Sequence, residues 1–314
     1  MPTPPPRRRR ARNLVRAALR ILLVIGLIAL SGITVQASAE QSERRKFPPP
    51  GQLVDIGGGE LIHLRQWGIG NPGPTIVLDV SAATPSSLWA WVGQALGEHH
   101  RVVAFDRPGM AWSRGPWAPR DSQHAADALA DTLSAADVPP PYVIVGHSYG
   151  GFSSRVFAGS YPDRVAGLVL LDATHPDGGG EVRFATSYRV RAWLGHAGLF
   201  QLSPPDDYFW ELPADERPAA YAVNLWASHL DTSAEELEAW HTSAAQVRAV
   251  GSDFGDLPLL VVTGGASSAL QRNLVDLSSA GRLVEINADH MGMLVSEWQS
   301  ESLVRVLEEF LATL

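Results

Sequence analysis

The chain has 314 residues, of which 45% are apolar, enough to bury one sizeable core. It contains no cysteine, which excludes disulfides, thiolate metal sites and a cysteine nucleophile. The formal charge is −8, and residues 1–39 hold seven arginines and no acid, so the body is more acidic still and suits no nucleic-acid backbone.

Arg7 to Arg10, Arg12, Arg16 and Arg20 precede an apolar run over residues 21–35, and Ala37-Ser38-Ala39 then offers a small-x-small cleavage site before Glu40. This order predicts that residues 1–39 are either a secretory signal cleaved near Ala39 or a membrane anchor over about residues 14–35. The run is short against the about 20 residues a helix needs to cross a bilayer. Starting it at Leu14 lengthens it, but only if Arg16 and Arg20 reach back to the interface. Both readings leave the basic end in the cytoplasm and the body outside it. Residues 40–52 are polar and then proline-rich, and read as a linker.

Beyond the linker, short β-branched runs alternate with longer helical patterns, which predicts an α/β fold with a mostly parallel sheet. Residues 53–56 and 61–66 form an opening hairpin across Gly57-Gly58-Gly59. Strands follow over 75–80, 101–105, 142–145, 165–171, 257–263 and 282–286. Helices are expected at 88–96, 122–136, 151–161 and 297–314. From about residue 175 to 251 the strand pattern stops, and this stretch, with Trp193, Trp210, Trp226 and Trp240, reads as a helical cap over a core of 53–174 and 252–314. Tryptophan at helical spacing is more often core than substrate contact.

Gly146-His147-Ser148-Tyr149-Gly150 is the central motif. A bare G-x-S-x-G is common by chance, but here it follows an apolar strand and opens a helix, as a nucleophile elbow requires. The sharp turn leaves no room for side chains beside the serine, hence the glycines. A serine hydroxyl needs a base. His290 lies just past the last expected strand, in the chain order Ser–acid–His. His147 is expected to point away from the site, and His63, His99, His100 and His124 read as surface or packing residues. His175 follows a strand end at the catalytic rim. No H-x-H or H-E-x-x-H pattern suggests a metal, and no motif implies a cofactor.

The loop after the penultimate strand, Thr263 to Ser268, is the common place for the orienting acid and contains no carboxylate. Asp172, at the end of the strand following the elbow, is the best geometric substitute, with Asp177 second. Asp253 and Asp256 precede their strand, at its wrong end, and Asp289 is too close to His290 to align its ring. For the oxyanion hole, the Tyr149 amide would act with one from the loop after the 75–80 strand. Counting back from Trp89 puts Ala82 at that position, with Ser81 where a glycine is usual.

Together these residues resemble the α/β-hydrolase superfamily from about residue 51 onwards. More narrowly, PPPGQLVDIGG, FDRPGMAWS, PPPYVIVGHSYGG and GLVLLDATHPD resemble bacterial exported or membrane-anchored esterase-like hydrolases. The resemblance implies an acid supplied after the strand carrying LVLLD, which again is Asp172. It implies cleavage of a small-molecule ester through an acyl-enzyme, with membrane contact through the N-terminal segment if that is uncleaved. Amidase, peptidase, thioesterase, lactonase or acyltransferase activity on the same triad, or a non-catalytic binding role, are the alternatives.

Overall fold

The computed structural model describes residues 7–178, 182–197 and 207–314. Residues 1–6 of the expected signal or anchor, and 179–181 and 198–206 of the expected cap, lie outside the described residues. The strands are β1 (Gln52–Asp55), β2 (Leu61–Trp67), β3 (Thr75–Asp79), β4 (Val102–Phe105), β5 (Tyr142–His147), β6 (Val165–Leu171), β7 (Leu259–Gly264) and β8 (Gly281–Ile286). The helices are α1 (Arg7–Lys46), α2 (Ala90–Leu96), α3 (Ser122–Ala135), α4 (Gly150–Ser160), α5 (Val182–His196), α6 (Arg217–Val223), α7 (Ala227–Glu238), α8 (Trp240–Ala249), α9 (Ala269–Asn273), α10 (Gly292–Val295) and α11 (Glu297–Leu311).

The eight strands form one sheet in the order β1-β2-β4-β3-β5-β6-β7-β8. The first two are antiparallel, as the glycine-rich hairpin predicts, and the rest run parallel from β4 to β8. Strands β3, β5 and β7 are buried almost throughout, as is β6 beyond its first two residues. That burial is why their sequences are unbroken apolar runs rather than alternating ones. On one face, Leu129 of α3, Phe152 and Val156 of α4 and Trp240 and Val247 of α8 close the core. On the other, Val92 of α2 and Leu303, Leu307 and Phe310 of α11 do so. The crossings put the carboxyl ends of β3, β5, β6 and β7 at one edge, where ligands bind in open α/β sheets.

Helices α5 to α8 fill the stretch between β6 and β7, where the strand pattern stops. Its tryptophans divide between core and surface. Trp226 and Trp240 are buried, whereas Trp193 and Trp210 are exposed.

The N-terminal segment departs from expectation. Helix α1 runs through Ala39 and on to Lys46, so the first half of the expected linker is helical. Its last turns dock on α7. Glu40 Oε2 accepts from the Ala227 amide (3.0 Å) and Oε1 from the Ser228 hydroxyl (2.7 Å), which satisfies free donors at the start of α7. The Arg44 guanidinium lies 3.9 Å from the centre of the Trp226 ring. A cut after Ala39 would fall inside this helix, immediately before the residue that caps α7. Earlier in α1, Leu14, Leu19, Ile21, Leu22 and Leu23 are exposed. Among the described residues, no helix is long and apolar enough to cross a membrane.

Candidate active site

Ser148 occupies the turn between β5 and α4 with φ of 53°, a left-handed conformation that a side-chain-bearing residue adopts only where its surroundings impose it. The surroundings are explicit. The Ser148 amide donates to Leu171 O (2.9 Å), and Ser148 O accepts from the Thr174 amide (3.0 Å), pinning the elbow to the end of β6 and to the turn after it. A Cβ at Gly146 would stand 2.5 Å from Ser154 Oγ, and one at Gly150 would stand 2.7 Å from the carbonyls of Asp79 and Val80. Both glycines are therefore demanded by close approach rather than by their own backbone angles.

His290 lies in the loop after β8, and the structure brings it to Asp172. His290 Nδ1 stands 3.3 Å from Asp172 Oδ2. A carboxylate only accepts, so Nδ1 carries the proton and Nε2 is left as the basic nitrogen. Asp172 also has positive φ, 39°, at the end of β6. Its other oxygen, Oδ1, accepts from the Gly264 amide (3.1 Å) and from Gln271 Nε2 (2.9 Å). The end of β7 and helix α9, which flank a loop empty of carboxylates, thus supply hydrogen-bond donors to an acid that arrives from β6. A Cβ at Gly264 would stand 3.1 Å from Asp172 Oδ2 and 2.6 Å from Ala288 O, so this approach excludes a side chain there.

Asp177 is not brought to His290. Its exposed carboxylate pairs with Arg248 at 2.6 Å, and that bond holds its pKa below the usual carboxylate range. His175 lies 3.7 Å from Asp177 and belongs to the same surface cluster.

His147 is where sequence reasoning failed. It does not point away from the site. Its ring lies 4.6 Å, centre to centre, from that of His290, and its Nε2 donates to the His290 carbonyl (2.8 Å). Burial, with the neighbouring His290 adding to it, pushes the His147 pKa well below the usual histidine value, so it acts as a fixed neutral donor. The only signal in the sequence was its adjacency to Ser148. His63, read as surface or packing, is buried and bonded to Asp106 (2.8 Å).

Ser148 and His290 line one cavity of about 300 Å³. Residues 81–84 border it, Ala82 among them, as do Phe184, Tyr188 and Leu237. Among the described lining residues there is no carboxylate, lysine or arginine. Tyr149 follows Ser148 as the N-cap of α4, with its ring buried. Among the described residues, no group of three histidine or carboxylate side chains is placed to hold a metal ion.

A parallel sheet with this strand order, a left-handed serine at the end of its central strand and a histidine–carboxylate pair beside it define the α/β-hydrolase fold. A family profile described as the alpha/beta hydrolase fold matches residues 71–197, from just before β3 to the end of α5. The chain resembles the α/β-hydrolase superfamily over these residues. It is similar to an enol-lactonase from Burkholderia xenovorans, with 22% identity, a TM-score of 0.64 and coverage of 82% of this chain and 99% of that one. A thermophilic esterase from Thermogutta terrifontis gives 18% identity, a TM-score of 0.62 and coverage of 83% and 97%. At these identities the likeness carries the fold. In sequence, the chain is 30% identical to an uncharacterised protein of Schizosaccharomyces pombe over 186 residues, which is 53% of this chain and 32% of that protein. The chain therefore spans about a third of that relative's length.

Proposed function

We propose that the protein is a serine hydrolase that cleaves carboxylic esters through an acyl-enzyme. The observation that carries this reading is His290, which pairs with Asp172 through Nδ1 while sharing a cavity with Ser148. In the proposed reaction, His290 Nε2 takes the Ser148 proton as Oγ bonds to the acyl carbon, and returns it to the departing alcohol. Water, deprotonated by the same nitrogen, then releases the acid and restores the serine. Asp172 holds the reactive tautomer and stabilises the imidazolium. The amides of Tyr149 and Ala82 are proposed as oxyanion donors, each contributing about 10²-fold or more.

The uncharged, partly aromatic lining favours a neutral acyl or alcohol group of modest size. The same proposal locates the body outside the cytoplasm, supported by the arginines that precede the apolar run. A fluorophosphonate probe should label the purified full chain at Ser148, and labelling should vanish in Ser148→Ala. A folded protein that never labels, and hydrolyses no ester, would overturn the reading. A chain that labels but turns over amides or thioesters faster than oxygen esters would overturn the substrate class alone.

A further inference from the structure

Arg107, in the turn after β4, is fully buried, and its guanidinium is saturated. Nη1 donates to Asp79 Oδ1 (2.5 Å) and to the Val80 carbonyl (2.6 Å), and Nη2 donates to the Ser81 carbonyl (2.8 Å). On its other side, Nε reaches Glu236 Oε1 (2.6 Å) and Nη2 reaches Oε2 (3.1 Å). Asp79 accepts in addition from the Ser153 hydroxyl of α4, and burial pushes its pKa up.

Glu236 is equally buried, although it sits on α7, in the helical layer between β6 and β7. Its Oε2 also accepts the Ala83 amide (3.1 Å). Ala83 has φ of 58°, so the loop reverses at that residue, immediately after Ala82. Besides their mutual pairing, Arg107 and Glu236 therefore both bond to residues 79–83, the end of β3 and the start of the loop that borders the cavity beside Ser148. One side chain from the cap holds an amide of the loop directly and its carbonyls through Arg107.

A buried carboxylate with no role in packing costs several kcal/mol of desolvation unless strong partners offset it. Two carboxylates on one guanidinium is a costly arrangement for a segment whose only task is to connect β3 to α2. The Ala83 amide is taken by Glu236, and Ala82, the residue immediately before it, borders the cavity that Ser148 lines.

We propose that Glu236 is a positioning residue for the oxyanion loop, acting through Arg107 and the Ala83 amide to hold Ala82 in register with Ser148. The proposal rests on the serine-hydrolase reading. It makes the cap part of the catalytic geometry and not only a cover. Glu236 touches no reacting atom. Its removal should loosen the loop and weaken stabilisation of the tetrahedral intermediate more than binding of the ground state.

The test uses the full chain and compares Glu236→Ala, Glu236→Gln and Glu235→Ala. Glu235, the neighbour on α7, pairs with Arg120 at 3.3 Å and serves as the control. Active sites are counted by fluorophosphonate labelling, so that kcat refers to folded, competent protein. With Glu236→Ala, kcat per active site for a short acyl ester should fall by about 10²-fold with KM changed less than about threefold. Affinity for a trifluoromethyl ketone, which forms the tetrahedral adduct, should fall in parallel. Glu236→Gln keeps an acceptor and should lose less, while Glu235→Ala should match the parent. A merely structural role would lower the number of labelled sites and leave kcat per site intact, and that result would overturn the proposal. If Glu236→Ala fails to fold, the Glu236→Gln comparison decides alone: unchanged kcat and ketone affinity per site would sink it. Failure of the underlying reading looks different, since the parent chain itself would then neither label nor turn over ester.

Discussion

His290 Nδ1 lies 3.3 Å from Asp172 Oδ2, and the two residues reach each other from strands that are not neighbours, β6 and β8. The strand between them, β7, contributes the Gly264 amide to the same carboxylate, and Gln271, from α9 beyond it, adds a second donor.

Replacing Asp172 should therefore remove the group that fixes the imidazole tautomer. Asp172→Asn is expected to lower kcat by about 10⁴-fold while leaving the thermal midpoint nearly unchanged. Asp177→Ala, which only frees Arg248 at the surface, should leave ester turnover within about twofold. Steady-state kinetics on both variants check this, and a larger loss in the Asp177 variant would move the acid to that residue.

Stability should depend on pH through His229. This buried ring accepts the Ala111 amide at Nδ1 (3.1 Å) and donates from Nε2 to Ala83 O (3.2 Å), which requires it to be neutral. Burial lowers its pKa from 6.5 to about 4. The unfolded chain then takes up a proton near pH 6.5 that the folded chain refuses until about pH 4. The contribution is thus fully present above pH 6.5 and is lost as pH falls through that window, by about 3 kcal/mol. His147, lowered for the same reason, adds in the same direction. Urea midpoints measured from pH 7 to 4.5 should fall steadily. In His229→Gln the midpoint should be lower at pH 7 but the slope with pH shallower, and an equally steep slope would rule His229 out as a source.

The cap on α7 supplied by Glu40 is expected to stabilise the fold. Glu40→Ala should cost about 1 kcal/mol in urea denaturation, the usual penalty for losing an N-terminal helix cap. Because Arg44 is stacked on Trp226, the variant should also shift tryptophan emission. No change in either quantity would mean that α1 is not docked in solution.

Leu237 is buried on α7 and lines the cavity. Leu237→Ala should enlarge the space beside Ser148 and shift preference towards longer acyl chains. The ratio of kcat/KM for octanoate over acetate esters should rise by about tenfold. The variant should also lose about 3 kcal/mol of stability. An unchanged ratio would place the acyl chain elsewhere.

Much of this arrangement was written locally. The run at Val165–Leu171 coincides with β6 because a strand buried on both faces needs an uninterrupted apolar sequence, bounded here by Arg164 and Asp172. The placement of Ser148 in a strand-to-helix turn was legible because strand, glycines and helix are contiguous, and the pairing of Asp172 with His290 because the loop after β7 lacked any carboxylate. Glu236 was not legible. In the stretch Ala-Glu-Glu-Leu-Glu it looks like one of several solvated helix charges, and its partner Arg107 is 129 residues away. The docking of α1 was hidden for a related reason. Glu40 and Arg44 sit in a polar stretch that reads as a linker until Trp226 and the start of α7 are beside it. His147 was misplaced because alternation along a strand does not survive the sharp turn that follows it.

The register of β5 on β6 pairs His147 with Leu171, and Ser148 and Asp172 are the very next residues on each strand. The separation of Ser148 and Asp172 is thus dictated by two hydrogen-bonded backbones in the middle of the sheet, which cannot slide independently. Of the three side chains of the proposed triad, only the imidazole travels on a loop. What remains to be set for these three is the placement of residues 287–291. Heating or a distant substitution should silence the protein first by letting that one loop wander, well before the sheet itself gives way.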